Sequence, residues 1–307
     1  MEYRPALFRQ NEITQPLLQV DISADYPARP GVLREVRFEI ESGEILGLIG
    51  QSGSGKSTIA FAIARLLEMR GGIVRGSVRF CGTDLMSATQ KELRRLRGKD
   101  ISIVLQSPMT ALNPALRLET QLREVWRAHR GESWGAGREH ACALLARMGL
   151  PNSRDFLRRY PRELSVGQAQ RVVITMAMLH RPKLLIADEP TSALDPATGS
   201  EILALFRQCN REFGTAILYV SHDLESVRLL CHRVAVVYDG SIAGWGSPEE
   251  VLSGAVRMAN LSVDGDSGQL GYSKWNNFAF HTADYGSGMR ERERVAGDEV
   301  NHPPALR

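Results

Sequence analysis

Residues 50–58 combine glycine, lysine and hydroxyl side chains at a spacing that can bind phosphate. They are Gly50, Gln51, Ser52, Gly53, Ser54, Gly55, Lys56, Ser57 and Thr58. In the pattern G-x-x-x-x-G-K-[ST], glycines let the backbone curl and point several amide N–H groups at an anion. Lys56 would place a positive charge near the terminal phosphates, and the Ser57 hydroxyl is placed to bind Mg²⁺. The alternative is a glycine-rich turn that binds no ligand.

Two adjacent carboxylates, Asp188 and Glu189, follow the apolar run 184–187. Such a run is typical of a buried parallel strand, so the acidic pair would lie at the edge of a sheet. There Asp188 can hold Mg²⁺ through water, and Glu189 can orient or deprotonate an attacking water molecule. An apolar strand before an acidic turn is common in α/β domains, and only the glycine loop makes this pair indicate phosphoryl chemistry.

The elements around the glycine loop are a strand and a helix. Residues 44–49 form a short, largely apolar run that predicts a buried parallel strand, and apolar residues recur at helical spacing from Ile59 to Leu67. The helix would therefore direct its positive N-terminus at the phosphate. Further strand signals between 184 and 237 predict one mainly parallel core sheet, whereas residues 85–160 show helical spacing.

Residues 164–168 resemble the signature sequence of ABC-type ATPases. They are Leu164, Ser165, Val166, Gly167 and Gln168. The acidic strand that ends at Glu189 resembles the Walker B motif of the same family, and few other families with a phosphate loop carry this pair of motifs. The resemblance implies that the chain hydrolyses ATP, with ATP and Mg²⁺ as its cofactors.

The same resemblance implies an α/β fold, a P-loop NTPase (RecA-like) core with antiparallel β elements and a helical subdomain inserted at about residues 86–168. This ABC-type ATPase domain would span residues 1–254. Residues 255–307 are rich in Gly, Ser, Asn and Asp and show no sustained apolar period. Their composition predicts a mostly disordered tail.

The family resemblance also assigns roles to single residues. Glu189 and His222 are the expected catalytic residues, and His222 would form a hydrogen bond to the terminal phosphate. Ser57, Gln106 and Asp188 are the expected contacts of the metal or its water, with Gln106 reporting the nucleotide state to the helical region. Tyr26 is expected to stack on adenine. The signature residues Ser165, Gly167 and Gln168 are expected to contact the nucleotide that a facing subunit binds.

Structural alternatives exist for three of these residues. Gln106 can be a solvated amide at the end of a strand. His222 can simply precede a helix that is capped by Asp223. Tyr26 can be a half-buried tyrosine in a turn, since aromatic residues pack in most settings. Position within the ordered set of motifs favours the nucleotide roles.

The stretch 100–114 is similar to the ATP-binding subunits of bacterial dipeptide, oligopeptide and nickel importers. The resemblance implies a second ABC ATPase subunit, two membrane permease subunits and, indirectly, an extracytoplasmic solute-binding protein as partners, with the chain at the cytoplasmic face of the inner membrane. Three alternatives stay open: an exporter subunit, a soluble ABC ATPase that acts on DNA or ribosomes, and a partner subunit that relies on its companion for hydrolysis.

The signature departs from the family at Val166, where the family has glycine. A β-branched side chain restricts the backbone and thickens a loop that must approach the phosphate of another subunit. We therefore expect weaker ATP hydrolysis at the site that this signature completes.

Composition bounds the remaining function classes. At 307 residues, 43% hydrophobic and 24% charged, the chain can bury a full core, and no apolar run approaches the roughly 20 residues that span a bilayer. A net charge of +3 is too small to indicate a nucleic-acid partner. The four cysteines are widely spaced, which favours reduced structural thiols over a zinc or iron–sulfur site. The basic run 94–99 is expected to be a solvated helix end.

Overall fold

Two β-sheets and a group of helices build the chain in this computed structural model, which describes residues 15–253 and 257–258. The strands are β1 (Leu18–Tyr26), β2 (Arg29–Ile40), β3 (Ile45–Ile49), β4 (Ile73–Phe80), β5 (Thr83–Asp84), β6 (Ile101–Val104), β7 (Leu184–Asp188), β8 (Ala216–Val220), β9 (Arg233–Tyr238), β10 (Ser241–Gly246) and β11 (Arg257–Met258). The helices are α1 (Lys56–Ile63), α2 (Gln90–Leu96), α3 (Pro108–Ala111), α4 (Leu118–His129), α5 (Trp134–Arg147), α6 (Arg154–Leu157), α7 (Val166–Met178), α8 (Pro196–Phe213), α9 (Leu224–Leu230) and α10 (Pro248–Leu252).

The larger sheet has the strand order β11-β10-β9-β3-β8-β7-β6. Strands β9, β3, β8, β7 and β6 run parallel, while β10 and β11 add an antiparallel edge. Because the carboxyl ends of parallel strands meet at one edge, the loops after β3, β6, β7 and β8 lie side by side. The predicted, mainly parallel core sheet is therefore observed.

Every residue of β3, β7 and β8 is buried. Successive side chains of a strand point to opposite faces, so the side chains of these strands pack into two hydrophobic cores, one on each face of the sheet. Leu46 and Leu48 pack with α1 and the smaller sheet, whereas Ile45 and Ile49 pack with the helices that follow β6. A parallel sheet covered on both faces requires this continuous apolar pattern, which is why it was readable in the sequence.

The smaller sheet is antiparallel and has the strand order β2-β1-β4-β5. Its first two strands form a hairpin in which Tyr26 pairs with Arg29. These strands are the antiparallel β elements that the family resemblance implied. They bring Leu33 of β2 against Gly55 of the glycine loop, since a Cβ on Gly55 would lie 2.8 Å from Leu33 Cδ2.

The helical region begins later than the predicted boundary at residue 86. Strand β6 falls inside the predicted range but belongs to the larger sheet, where Val104 pairs with Ala187. Helix α2 also belongs with the core, because Leu93 packs in the cluster around α1. The helices α3 to α7 follow β6. A strand of four residues is too short to interrupt a helical pattern visibly, which explains the error. No helix in the described ranges is long and apolar enough to cross a membrane.

The predicted tail lies almost wholly outside the described residues. Residues 257–258 are the exception, because they form β11 and pair with Gly244 and Trp245 of β10. Two residues that we expected in the tail therefore extend the larger sheet.

The basic run 94–99 is more than a solvated helix end. Arg97 Nε donates to the carbonyl oxygen of Ala64 at 2.9 Å, and its guanidinium also donates to the carbonyl of Arg65. These carbonyls belong to the two residues that directly follow α1, where helices leave backbone acceptors unpaired. Arg97 thus caps the C-terminal end of α1 through hydrogen bonds to backbone carbonyls. No local sequence pattern predicts this contact.

A histidine cluster joins α4, α5 and the end of α7. The His180 ring stacks on Trp126 at 5.8 Å between centroids and meets His129 edge-on at 5.2 Å, while His140 lies 5.7 Å from Trp126. His180 Nε2 lies 2.9 Å from the carbonyl oxygen of Val125. Burial lowers the pKa of His180, and nearby His129, Arg130 and His140 lower it further.

The stability of the fold should therefore fall with acidification below about pH 6.5, the ordinary pKa of histidine. In that range the unfolded state binds more protons at His180 than the folded state does, and stability then decreases as pH decreases. We expect the loss in urea midpoint between pH 7.5 and 5.5 to be smaller in His180→Gln, which keeps an N–H donor for Val125. An equal loss of urea midpoint in the wild type and in His180→Gln would contradict the assignment of this pH dependence to His180.

Candidate nucleotide-binding site

The glycine loop joins the end of β3 to the start of α1, as predicted. A Cβ on Gly50 would lie 2.2 Å from the carbonyl oxygen of Val237, so only glycine fits there. Gly55 precedes α1 with a φ of +110°, a left-handed conformation that favours glycine. The loop therefore curls tightly between β9, β2 and the N-terminus of α1.

Lys56 is buried inside this loop. Its Nζ donates to the carbonyl oxygens of Gly50 at 2.8 Å and Gln51 at 3.0 Å, and the residue is only 6% exposed. Burial lowers the pKa of Lys56, whereas the charges of Glu189 and Asp188 raise it. The ammonium group thus lies close to both carboxylates, at a loop shaped for an anion.

Ser57 and Asp188 come together although they are far apart in the sequence. The Ser57 hydroxyl donates to Asp188 Oδ1 at 3.0 Å. Asp188 is 5% exposed, and burial raises its pKa, while the Ser57 hydrogen bond lowers it. A hydroxyl and a carboxylate are hard oxygen donors of the type that Mg²⁺ prefers. The buried Ser54 hydroxyl, which has no hydrogen-bond partner in the described residues, adds a further polar group to the loop.

Glu189 and His222 form a second pair at the same edge. His222 Nδ1 lies 2.8 Å from Glu189 Oε1. The pairing of β7 with β8 places them there, because Asp188 is the partner of Val220 in the register. Glu189 has a φ of +51°, and its N–H donates to the carbonyl of Val220 at 2.9 Å. Its side chain is 14% exposed and that of His222 is 64% exposed, so the pair opens to solvent on the histidine side.

Gln106 follows a strand of the larger sheet, and Tyr26 lies in the smaller sheet. Gln106 follows β6, whose Val104 pairs with Ala187, so it lies on the edge that carries Asp188. Its side chain is exposed. Tyr26 lies at the β1–β2 turn, partly buried against the cluster that contains Leu33.

The signature residues begin α7. Ser165 Oγ accepts a hydrogen bond from the backbone N–H of Gln168 at 3.2 Å, and Gln168 Oε1 accepts one from the N–H of Ser165 at 3.2 Å. This reciprocal pair is a capping box. A Cβ on Gly167 would lie 2.7 Å from Thr198 Cγ2 on α8, so a larger residue there would force the Thr198 side chain to move.

The structure therefore brings one set of predicted residues together and leaves another apart. Lys56, Ser57, Asp188, Glu189 and His222 share one sheet edge. Among the contacts of the described residues, no hydrogen bond joins Ser165 or Gln168 to the glycine loop. The capping role of Gln168 was not predicted, although Ser followed three residues later by Gln before an apolar run is a recognisable signal.

The turn between β9 and β10 also supports the loop and was missed. Gly240 N–H donates to the carbonyl of Ser54 at 3.0 Å. A Cβ on Gly240 would lie 2.5 Å from the carbonyl of Val32, so this glycine is required by close packing. The dipeptide Asp239-Gly240 is a turn signal in the sequence, but nothing local links it to a loop nearly two hundred residues earlier.

Comparison with known proteins places the chain among relatives of one family. The family described as ABC transporter matches residues 33–192. The chain is 42% identical over 231 residues to the oligopeptide transport ATP-binding protein OppD of Salmonella typhimurium, which covers 75% of this chain and 69% of the relative. It is 41% identical over 245 residues to the probable D,D-dipeptide transport ATP-binding protein DdpD of Escherichia coli, which covers 78% and 75%.

The fold matches a solved structure with nucleotide bound. The dimeric post-hydrolysis state of the ATP-binding cassette MJ0796 with ADP and Pi aligns with a TM-score of 0.66 and 27% identity, covering 75% of this chain and 98% of that chain. The predicted family and fold class are thus confirmed. The chain is an ATPase of the ABC transporter family and belongs to its oligopeptide and dipeptide branch of ATP-binding proteins.

Proposed function

We propose that the chain uses ATP hydrolysis to power the import of peptides through a membrane transporter. The observation that carries the proposal is the meeting of Lys56, the Ser57–Asp188 pair and the Glu189–His222 pair at one sheet edge. That arrangement supports nucleotide hydrolysis. The relatives named for oligopeptide and dipeptide transport support the class of solute.

Residues 50–58 hold the phosphates of ATP in this proposal. Backbone N–H groups of the loop and of the first turn of α1 point at the anion, and Lys56 balances its charge. Ser57 and Asp188 would hold Mg²⁺, which would neutralise charge on the terminal phosphates. Gln106 lies on the same edge for a contact to that metal or its water, and Tyr26 is the proposed platform for adenine.

Glu189 is the proposed general base. Its carboxylate is partly buried and faces the phosphate loop, so it can accept a proton from the water that attacks the terminal phosphate. His222 holds that carboxylate through Nδ1 at 2.8 Å and has an exposed ring that can reach the phosphate. The two residues thus act as one unit, with the histidine fixing the orientation of the base.

The partners in this proposal follow from the open side of the site. Ser165, Gly167 and the cap at Gln168 lie at the N-terminus of α7, an anion-binding position that would close over the nucleotide of a second ABC ATPase subunit. Two membrane permease subunits would hold the pair at the cytoplasmic face of the inner membrane, and an extracytoplasmic binding protein would deliver the solute. Nucleic acid has no place in this assembly.

The test is ATP turnover in reconstituted vesicles that contain the full chain with the membrane subunits with which it co-purifies. We expect a peptide-loaded binding protein to raise ATP turnover and drive uptake of a labelled peptide, while the peptide-free binding protein does neither. A complex that responds instead to a different class of solute would overturn the peptide assignment and leave the ATPase assignment intact. Failure to co-purify with any membrane subunit would overturn the transport assignment.

Val166 provides a test of the proposed shared site. It occupies the first position of α7 and is 43% exposed. Val166 lies in the helical backbone of α7, so in this proposal the bulk of its side chain is what limits the approach of the signature. We expect Val166→Gly to raise ATP turnover in the assembled complex, because the smaller residue lets the signature approach the phosphate of the facing subunit.

The same variant should lose little stability, about 0.5 kcal/mol or less, since glycine is only slightly less favourable in a helix than valine. Val166→Ala is the matched control: it removes most of the bulk without the backbone effect and should raise turnover with little loss of stability. Turnover that rises in neither variant would remove the idea that this residue limits the site.

A further inference from the structure

A chain of hydroxyl groups lies beneath the Glu189–His222 pair. Tyr219 of β8 is 0% exposed, and its hydroxyl donates to Ser226 Oγ at 3.0 Å. Ser226 Oγ in turn donates to the carbonyl oxygen of Asp223 at 2.7 Å. Because the Tyr219 proton is used in this way, Thr191 Oγ1 is the donor in its 3.4 Å contact with the Tyr219 oxygen.

The two ends of this chain are the loops that carry the proposed catalytic pair. Thr191 belongs to the turn after β7, in which Ser192 Oγ donates to the carbonyl of Glu189 at 3.0 Å. At the other end, Ser221 and Asp223 flank His222, and the Asp223 N–H donates to Ser221 Oγ at 3.0 Å. Tyr219 therefore connects Thr191, in the turn after Glu189, with the Asp223 carbonyl on one side of His222. The 3.4 Å contact between Ser221 Oγ and Ser226 Oγ extends this connection to the other side of His222.

Burial makes these contacts directional and costly to lose. Ser221 and Ser226 are 2% and 3% exposed, and burial raises the pKa of Tyr219, which keeps the phenol neutral and able to donate. In such surroundings a hydroxyl that loses its partner pays the cost of desolvation. The ring of Tyr219 packs against Phe206 with centroids 6.4 Å apart, and phenylalanine would fill the same space. The hydroxyl is thus needed by the loops and not by the core.

We infer that Tyr219 is a positioning residue for ATP hydrolysis, which holds the Glu189 turn and the His222 loop in a fixed relation through Thr191 and Ser226. The inference rests on the proposed roles of Glu189 and His222. It extends them by naming the group that sets their mutual geometry. A base and its orienting histidine must be held to within a fraction of an ångström, and buried hydrogen bonds behind them supply that precision.

The test compares Tyr219→Phe with the wild-type full chain in steady-state ATP hydrolysis. We expect kcat to fall about two- to tenfold, the effect of one buried hydrogen bond, while KM for ATP stays unchanged because the phosphate loop is untouched. Ser226→Ala should produce a similar loss. The double variant should be no worse than the more impaired single variant, since both remove the same connection.

Thr215→Val is the matched control. Thr215 adjoins the opposite end of β8, is 0% exposed, and its hydroxyl donates to the carbonyl of Pro182 at 2.7 Å. Loss of the Thr215 hydroxyl should lower Tm, as loss of the Tyr219 hydroxyl does, but it should leave kcat unchanged. A wild-type kcat in Tyr219→Phe, or an equal loss of kcat in Thr215→Val, would overturn the inference.

A parallel assay of Glu189→Gln distinguishes a failure of the positioning role of Tyr219 from a failure of the general-base role of Glu189. If Glu189→Gln is inactive and Tyr219→Phe is unimpaired, only the positioning role fails. If Glu189→Gln remains active, the assignment of the general base fails first.

Discussion

Replacing Glu189 by glutamine is expected to stop ATP turnover while leaving ATP binding nearly unchanged. Glutamine has the size of glutamate and can still contact His222, but it cannot accept the proton of the attacking water. General-base assistance is worth about 100- to 10,000-fold in rate, so we expect kcat to fall by that factor. The binding groups are on the loop at Lys56 and Ser57 and keep their contacts.

The measurement pairs single-turnover hydrolysis with equilibrium binding of ATP. Glu212→Gln is the matched control, because it makes the same chemical change in a partly exposed carboxylate that pairs with Arg147 at 2.5 Å near the end of α8. It should hydrolyse ATP at the wild-type rate. If Glu189→Gln kept more than about a tenth of wild-type kcat, another group would have to be the base.

Because it binds without hydrolysing, the same variant should also reveal the proposed dimer. ATP held between two subunits links them for as long as the terminal phosphate remains. Size-exclusion chromatography of Glu189→Gln should therefore show an ATP-dependent dimer that the wild-type chain loses as it hydrolyses ATP. A variant that binds ATP yet elutes as a monomer would argue against a site shared between two copies of this chain.

The sequence was sufficient to predict the position of a residue wherever that position depends on neighbours along the chain. The glycine loop, its strand and its helix are local, and the structure has them in the predicted order. The same holds for the acidic pair after β7, since a fully buried parallel strand leaves an unmistakable apolar run. The meeting of Ser57 with Asp188 was implied by the family resemblance and is observed at 3.0 Å.

The rest depends on contacts between distant segments, which no local pattern records. Strand β6 is assigned to the sheet by its pairing with β7, not by its four residues. Arg97 appeared to be one charge in a basic run until its contact with the end of α1 was visible. Tyr219 fits an apolar strand equally well as a core residue, and only Thr191 and Ser226 reveal its hydroxyl as a connection.

Replacing Lys56 by methionine should weaken ATP binding by about 10- to 100-fold. Hydrogen bonds to charged groups are worth about 1.5–3 kcal/mol, and each 1.4 kcal/mol is a factor of ten in affinity. The structure adds a second reason for the loss. Lys56 Nζ donates to the carbonyls of Gly50 and Gln51, so its removal leaves the curl of the loop without its central donor. Methionine fills the space but supplies neither charge nor donor.

Lys183→Met is the matched control for this prediction. Lys183 is exposed and directly precedes β7, at the end of that strand opposite Asp188. Its replacement should leave the dissociation constant for ATP unchanged when both variants are measured by calorimetry with Mg²⁺. Wild-type affinity in Lys56→Met would mean that the loop binds the phosphates through its backbone alone. Burial disfavours the charged form of Lys56, and the carboxylates of Glu189 and Asp188 offset part of that cost. A phosphate bound at the loop would offset more of it, because an opposite charge nearby favours the ammonium form.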